Sequence, residues 1–277
     1  MHIQKFAAFS DGGVGGNPAG VVITDRFPAE QEMRRLAAQV GFSETVFAVA
    51  QDGAWRVRYF SPESEVPFCG HATIALGAAL ALAHGGGRFR LQLNQGEITV
   101  DGERQGELFA AALQSPGTHS RAATPELTEQ VLKLFGYSAD DLDLRIPPTV
   151  IHGGADHFVL ALKRRDSLAA MRYALDAGRE LMNAHGWITI LLVYAESAQY
   201  FHSRNAFASG GVYEDPATGA ATAAFAGYLR ELGWPHGGAV ELLQGEDMGA
   251  RSRLHAAIPA TPGSSIRVSG TARQLPD

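Results

Sequence analysis

Two stretches of this chain, from Arg58 to Gly77 and from Arg204 to Ala223, share one plan. Each ends a strand, passes through polar, Gly and Pro residues, and opens a helix made almost wholly of small apolar side chains. Arg58 and Arg204 stand 146 positions apart, as do Val66 and Val212, and the Ala-Thr pairs Ala72-Thr73 and Ala217-Thr218 stand 145 apart. Self-similarity at half the length of a 277-residue chain reads as a duplicated unit. The two helices, expected over 71–83 and 216–229, carry no charged side chain until their last turns. A helix apolar on all sides must be buried on all sides. The expected fold class is therefore α+β, with two pseudo-symmetric halves, each a strand-rich, barrel-like shell around one central buried helix. The turn at Ser115-Pro-Gly-Thr lies between a strand pattern over 108–113 and a helix pattern over 125–135. It sets the halves at 1–117 and 118–263, with a C-terminal strand at 264–277 as a candidate to join the first. Shorter patterns predict an amphipathic helix over 28–40 and strands over 45–50 and 55–60.

Several function classes drop out on charge and composition. The formal charge is −6 and the basic residues are scattered, so a nucleic acid would find no electrostatic footprint. Apolar runs such as 74–83 and 188–195 fall well short of the roughly 20 residues that cross a bilayer, and no secretory h-region develops after Lys5. The expectation is a cytoplasmic protein with neither membrane nor nucleic acid as partner. One cysteine, Cys69, excludes an intrachain disulfide and any two-thiol mechanism within one chain. Ten histidines form no compact ligand pattern: His152 and His157 are five apart in a Gly-rich turn entering a strand, and no metal is expected. The Gly12-Gly-Val-Gly-Gly run is followed by Asn17-Pro18 rather than the Lys-Ser/Thr of a phosphate loop, so no nucleotide cofactor is expected either.

Five ordered motifs carry a resemblance. Asn17-Pro-Ala-Gly-Val-Val, Ser43-Glu-Thr-Val-Phe, Phe68-Cys-Gly-His-Ala-Thr, Glu214-Asp-Pro-Ala-Thr-Gly and Gln244-Gly245 match in order the signatures of the phenazine-biosynthesis (PhzF-like) family. The resemblance covers about residues 1–257. It implies two diaminopimelate-epimerase-like halves, an active site in the cleft between them, a homodimer, and acid/base isomerisation of a small substrate without metal or organic cofactor. The polar first turns of both buried helices are expected to converge on that cleft, where N–H groups and helix dipoles favour a carboxylate.

Residue by residue, the resemblance places the catalytic carboxyl at Glu44. A carboxyl can take a proton from carbon and return it once partial burial lifts its pKa toward the working pH. His71, beside the first turn of the first buried helix, is assigned to substrate binding with an acid/base role. Asp215 is expected both to cap the second buried helix ahead of Pro216 and to hold the substrate's amino group opposite Glu44. Asn17, Ser43, Gly70, Thr73, Gly219 and Ala220 complete the expected substrate contacts. Ala220 stands where the family often has serine, which removes a hydroxyl that would hydrogen-bond the substrate. Arg251, in Gly249-Ala-Arg-Ser, stands where the family has an arginine in Gly-Arg-Pro-Ser. Cys69 matches the first catalytic thiol of diaminopimelate epimerase and proline racemase, but Pro216 falls where the second would be, so Cys69 reads as buried packing. The alternatives are a racemase or epimerase that uses Cys69, and a non-catalytic binder of small metabolites.

Overall fold

In a computed structural model, residues 2–62, 64–94 and 96–276 are described. The chain divides into two compact units: Met1–Gln114 with Ala250–Arg253 and Val268–Asp277, and Ser115–Gly249 with Leu254–Arg267.

The first unit begins with β1 (Gln4–Ser10), β2 (Asn17–Ile23), α1 (Glu30–Val40), β3 (Glu44–Gln51), β4 (Ala54–Phe60) and β5 (Glu65–Val66). It continues through α2 (Gly70–His84), β6 (Gly87–Leu93), β7 (Gly96–Gln105) and β8 (Leu108–Gly117). Every residue of α2 from Gly70 to Ala81 is buried, as a helix of this composition requires. It packs against β1, β2, β3 and β7. The crossing on β7 is close enough to dictate two glycines: a Cβ on Gly102 would lie 2.1 Å from the Gly77 carbonyl oxygen, and one on Gly77 would lie 2.6 Å from Val100. Across the sheet, Met33, Leu36 and Ala37 of the amphipathic α1 pack on Val22, Phe47 and Phe60. These strands are thus buried on both faces, which suits their nearly continuous apolar sequence.

The second unit repeats the plan. It holds β9 (His119–Ala122), α3 (Pro125–Phe135), β10 (Thr149–His152), β11 (Asp156–Leu162), α4 (Arg165–Ala169), α5 (Leu175–His185), β12 (Thr189–Ala195) and β13 (Tyr200–Phe207). Then follow β14 (Val212–Asp215), α6 (Gly219–Glu231) and β15 (Ala239–Gln244), while β16 (Ser252–Ala257) and β17 (Ser265–Gln274) are divided between the units, residues 252–253 and 268–274 counting with the first. Helix α6 is buried from Gly219 to Leu229 and packs on β9, β10 and β11. The apolar faces of α3 and α5 cover the opposite side through Val131, Leu132, Phe135 and Met182. Helix α3 spans the expected 125–135, with the Thr124 hydroxyl accepting from the Leu127 N–H and Gly136 closing the C-terminus in the left-handed region.

The repeat register differs from the expected one. The buried helices start at Gly70 and Gly219, 149 positions apart, whereas the arginines on β4 and β13 are 146 apart, so the second half has three more residues between strand and helix. Thr73 therefore corresponds to Thr222 rather than Thr218, and His71 to Ala220. Strand β17 pairs antiparallel with β1, Phe6 with Gln274 and Ala7 with Arg273, and the register shifts before Ser10 meets Thr271. Phe9 sits in that bulge with φ 60°, and its ring lies so close to Gly270 that a Cβ there would be 2.6 Å from it.

Candidate functional site

In the first unit, α1 ends at Gly41 in the left-handed region and the chain enters β3 two residues later. Strand alternation then decides which way Glu44 faces. Phe47 and Phe60 point to α1, while Tyr59, whose hydroxyl bonds Thr73 of α2 at 2.7 Å, points to the other face opposite Val46. Glu44, two residues from Val46, shares that inner face. Asn17 is buried one strand over on the same face, since Ala19 pairs with Glu44.

The Glu44 carboxyl is only 4% exposed, and its Oε2 accepts no hydrogen bond. Its nearest base is His71, whose Nε2 lies 3.3 Å from that oxygen. The Ser43 hydroxyl is 3.4 Å from the same nitrogen. On the other side of the ring, Cys69 Sγ lies 3.3 Å from Nδ1. Burial lifts the Glu44 pKa above the ordinary carboxylate range, opposed by hydrogen bonds from Ser43 and Cys69. The same desolvation pushes His71 down to about 3. Burial thus works against the charged form of each group, the carboxylate of Glu44 and the imidazolium of His71. Gly70 is the first residue of α2, and no side chain caps the helix. Thr73 donates to the Cys69 carbonyl at 2.7 Å and meets Tyr59, so its hydroxyl braces the helix start.

In the second unit, Asp215 ends β14 and is 3% exposed. It does not cap the helix: α6 begins at Gly219 and its N-cap is Thr218. The Asp215 carboxylate instead accepts a bond from the Thr218 hydroxyl. Gln244 ties the segment from the side, donating to the Asp215 carbonyl at 2.6 Å and to Thr218 Oγ1 at 3.1 Å while accepting from the Thr218 N–H at 3.2 Å. These non-local bonds hold residues 216–218 out of the helix despite the Pro216 start signal. Upstream, Arg204 forms a buried fork on Glu214 and donates to the Ala169 carbonyl at 2.7 Å, fixing the strand that presents Asp215. Gly219 and Ala220 are the first two residues of α6, both buried. Arg251, in the first unit, pairs with Asp11 of the same unit, Nε to Oδ2 at 2.7 Å.

Sequence reasoning left Gln244 without a role, although its Gln-Gly motif marked it, and it read Cys69 as packing. Glu44, Cys69 and His71 are the one group among the described residues whose ligand atoms, within 4.8 Å of one another, could hold a metal ion. The shortest contacts divide between the two ring nitrogens, sulfur at Nδ1 and carboxyl at Nε2. His152 pairs with Asp156 and stacks on His119, while His157 is fully buried against Thr189.

Residues 6–275 match the family profile described as phenazine biosynthesis-like protein, PhzC-PhzF. A trans-2,3-dihydro-3-hydroxyanthranilate isomerase of Pseudomonas fluorescens is 31% identical, over 90% of this chain and 87% of its own. The isomerase of the same description from Pseudomonas aeruginosa is 29% identical over 95% and 93%. A solved structure of a predicted epimerase from Pseudomonas aeruginosa, 26% identical, superposes with a TM-score of 0.86 over 99% of this chain and 96% of that one.

Proposed function

The chain belongs to the phenazine biosynthesis-like (PhzC-PhzF) family and is an isomerase, and from that premise we propose that Glu44 moves a proton between two carbons of a small substrate bearing an amino and a carboxyl group. The observation that carries this reading is the Glu44 carboxyl itself, buried on the inner face of β3 with one oxygen unbonded and its proton affinity raised by desolvation. As carboxylate it takes a proton from one carbon, so that a C–H bond breaks and an O–H bond forms. As acid it returns the proton to another carbon, and the double bond migrates with no net change in composition.

In this reading His71 orients the carboxyl, and the uncapped N-terminal turns at Gly70 and Gly219 receive the substrate carboxylate. Asp215 pairs with the substrate amino group at the site. Asn17, Ser43, Thr73 and Ala220 complete its walls, and no cofactor takes part. The family's homodimer belongs to the same proposal. The isomerase relatives supply the first compound to test, trans-2,3-dihydro-3-hydroxyanthranilate. Turnover in heavy water, followed by NMR, should place one deuterium on the carbon that receives the proton. Deuterium at an inverted carbon with the double bonds unmoved would replace this reading with stereoinversion through Cys69.

A further inference from the structure

A side-chain amide has one accepting end and one donating end, and its neighbours decide which way it lies. Gln244, fully buried at the end of β15, meets two backbone groups that each allow only one answer. Its Oε1 accepts from the Thr218 N–H at 3.2 Å, a group that can only donate. Its Nε2 donates to the Asp215 carbonyl at 2.6 Å, a group that can only accept. The other Nε2 proton goes to Thr218 Oγ1 at 3.1 Å. A hydroxyl that receives a proton still has its own to give, and Thr218 gives it to Asp215 Oδ2. The three donated protons, two from the amide nitrogen and one from the hydroxyl, each meet a different acceptor. Strand β13 holds the parts together, since Asn205 pairs with Asp215 while Ser203, two residues away on the same face, pairs with Gln244.

We propose that Gln244 and Thr218 are positioning residues for substrate binding: Gln244 sets the direction of the Thr218 hydroxyl, and that hydroxyl holds Asp215 Oδ2 as an acceptor in the side-chain orientation that receives the substrate's amino group. The inference rests on the reading that Asp215 pairs with that group. A carboxylate turning about its two side-chain bonds points its charge in several directions, and a bound ammonium needs one of them. Pinning one oxygen removes that freedom before the substrate arrives, so ordering the side chain no longer draws on binding energy. Valine at 218 keeps the shape of threonine and takes the donated proton away. Glutamate at 244 acts from further off: it still accepts from the Thr218 N–H, but its second oxygen draws the hydroxyl proton away from Asp215. Neither change touches Glu44, so the loss falls on KM rather than kcat.

The test uses the full-length protein with trans-2,3-dihydro-3-hydroxyanthranilate as probe. Thr218→Val and Gln244→Glu should each raise KM about tenfold, the scale of one hydrogen bond to a charged group, with kcat within about threefold. Thr218→Ser, which keeps the hydroxyl, should return KM to within about twofold of wild type. Crystal structures of the same variants read the geometry without substrate: Asp215 should keep its rotamer in Thr218→Ser and leave it in Thr218→Val. A wild-type KM or an unmoved Asp215 rotamer in Thr218→Val overturns the proposal. So does a serine variant as impaired as the valine one, or a KM that rises only in step with a falling melting temperature. Asp215→Asn, measured beside them, separates the two levels of the argument. If it raises KM while Thr218→Val does not, the positioning role is wrong; if neither moves KM, the pairing of Asp215 with the amino group is wrong and the proposal falls with it.

Discussion

The starts of α2 and α6 are the same structural device furnished in opposite ways. Each follows a short strand, opens with glycine, and lacks a side-chain cap. At α2 the polar groups are left reactive: Glu44 Oε2 accepts no hydrogen bond, and desolvation keeps both Glu44 and His71 away from their charged forms. At α6 they are tied down, with Asp215, Thr218 and Gln244 bonded to one another. The second helical position is His71 in α2 and Ala220 in α6, an imidazole in one half and a methyl group in the other. The two halves share the helix start and differ in what surrounds it: a carboxyl with one unbonded oxygen at α2 and a bonded carboxylate at α6.

The largest expected effect breaks that comparison at its reactive end. Glu44→Gln keeps the shape and a hydrogen-bonding amide but cannot exchange a proton, so kcat should fall by about 10² to 10⁴ with ligand affinity nearly unchanged. Steady-state kinetics with isothermal titration of the substrate checks this, and wild-type turnover would remove Glu44 from the mechanism.

Acid stability should come next in size. His71 and His157, one in each half, are both pushed down to about 3 by burial. As pH falls below about 6.5, the unfolded chain gains protons that the folded chain refuses. Stability is then lost progressively from about pH 6.5 toward pH 3, by up to about 1.4 kcal/mol per pH unit for each ring. The raised Glu44 works in the other direction, removing stability as pH rises above the ordinary carboxylate value of 4.5. Urea titrations at pH 7 and pH 5 should show the midpoint dropping, and His157→Gln should flatten that dependence. Equal midpoints at the two pH values would show that the rings are not buried neutral.

At the anchored end, Asp215→Asn keeps an acceptor for the Thr218 hydroxyl but removes the charge. KM should rise about tenfold, with a smaller fall in kcat, if the carboxylate holds an ammonium group. An unchanged KM would reduce Asp215 to a structural strut. The smallest effect belongs to Ala220→Ser. It adds a hydroxyl at a buried helix start and should alter stability by less than about 1 kcal/mol and KM by only a few-fold, as thermal melts and kinetics can resolve.

What was readable in the sequence followed from local physics. Both buried helices announced themselves by lacking charge, α3 by Thr124, Pro125 and Gly136, and the Glu44 junction by its loop-to-strand pattern and the Ser-Glu-Thr motif. What escaped depends on contacts between distant positions. Asp215 looks like a cap ahead of Pro216, and only Gln244, 29 residues on, shows why the helix waits until Gly219. Cys69 reads as buried packing and is buried, but its neighbourhood depends on a ring that itself lies beside a carboxyl 27 residues upstream. The Ala-Thr pairs suggested one repeat register, but an insertion of three residues before α6 gives another.

The pairing of β17 with β1 sets a schedule for the newborn chain. Strand β1 is translated well before its partners at 271–274. At the usual 5 to 20 residues per second, roughly ten seconds or more pass between them. During that interval the second unit can close over its own core, while the edge of β1 that β17 pairs with at Phe6 and Ala7 waits for its partner. An exposed strand edge is a template for pairing with other chains, so β1 is a segment a holdase chaperone has reason to shield.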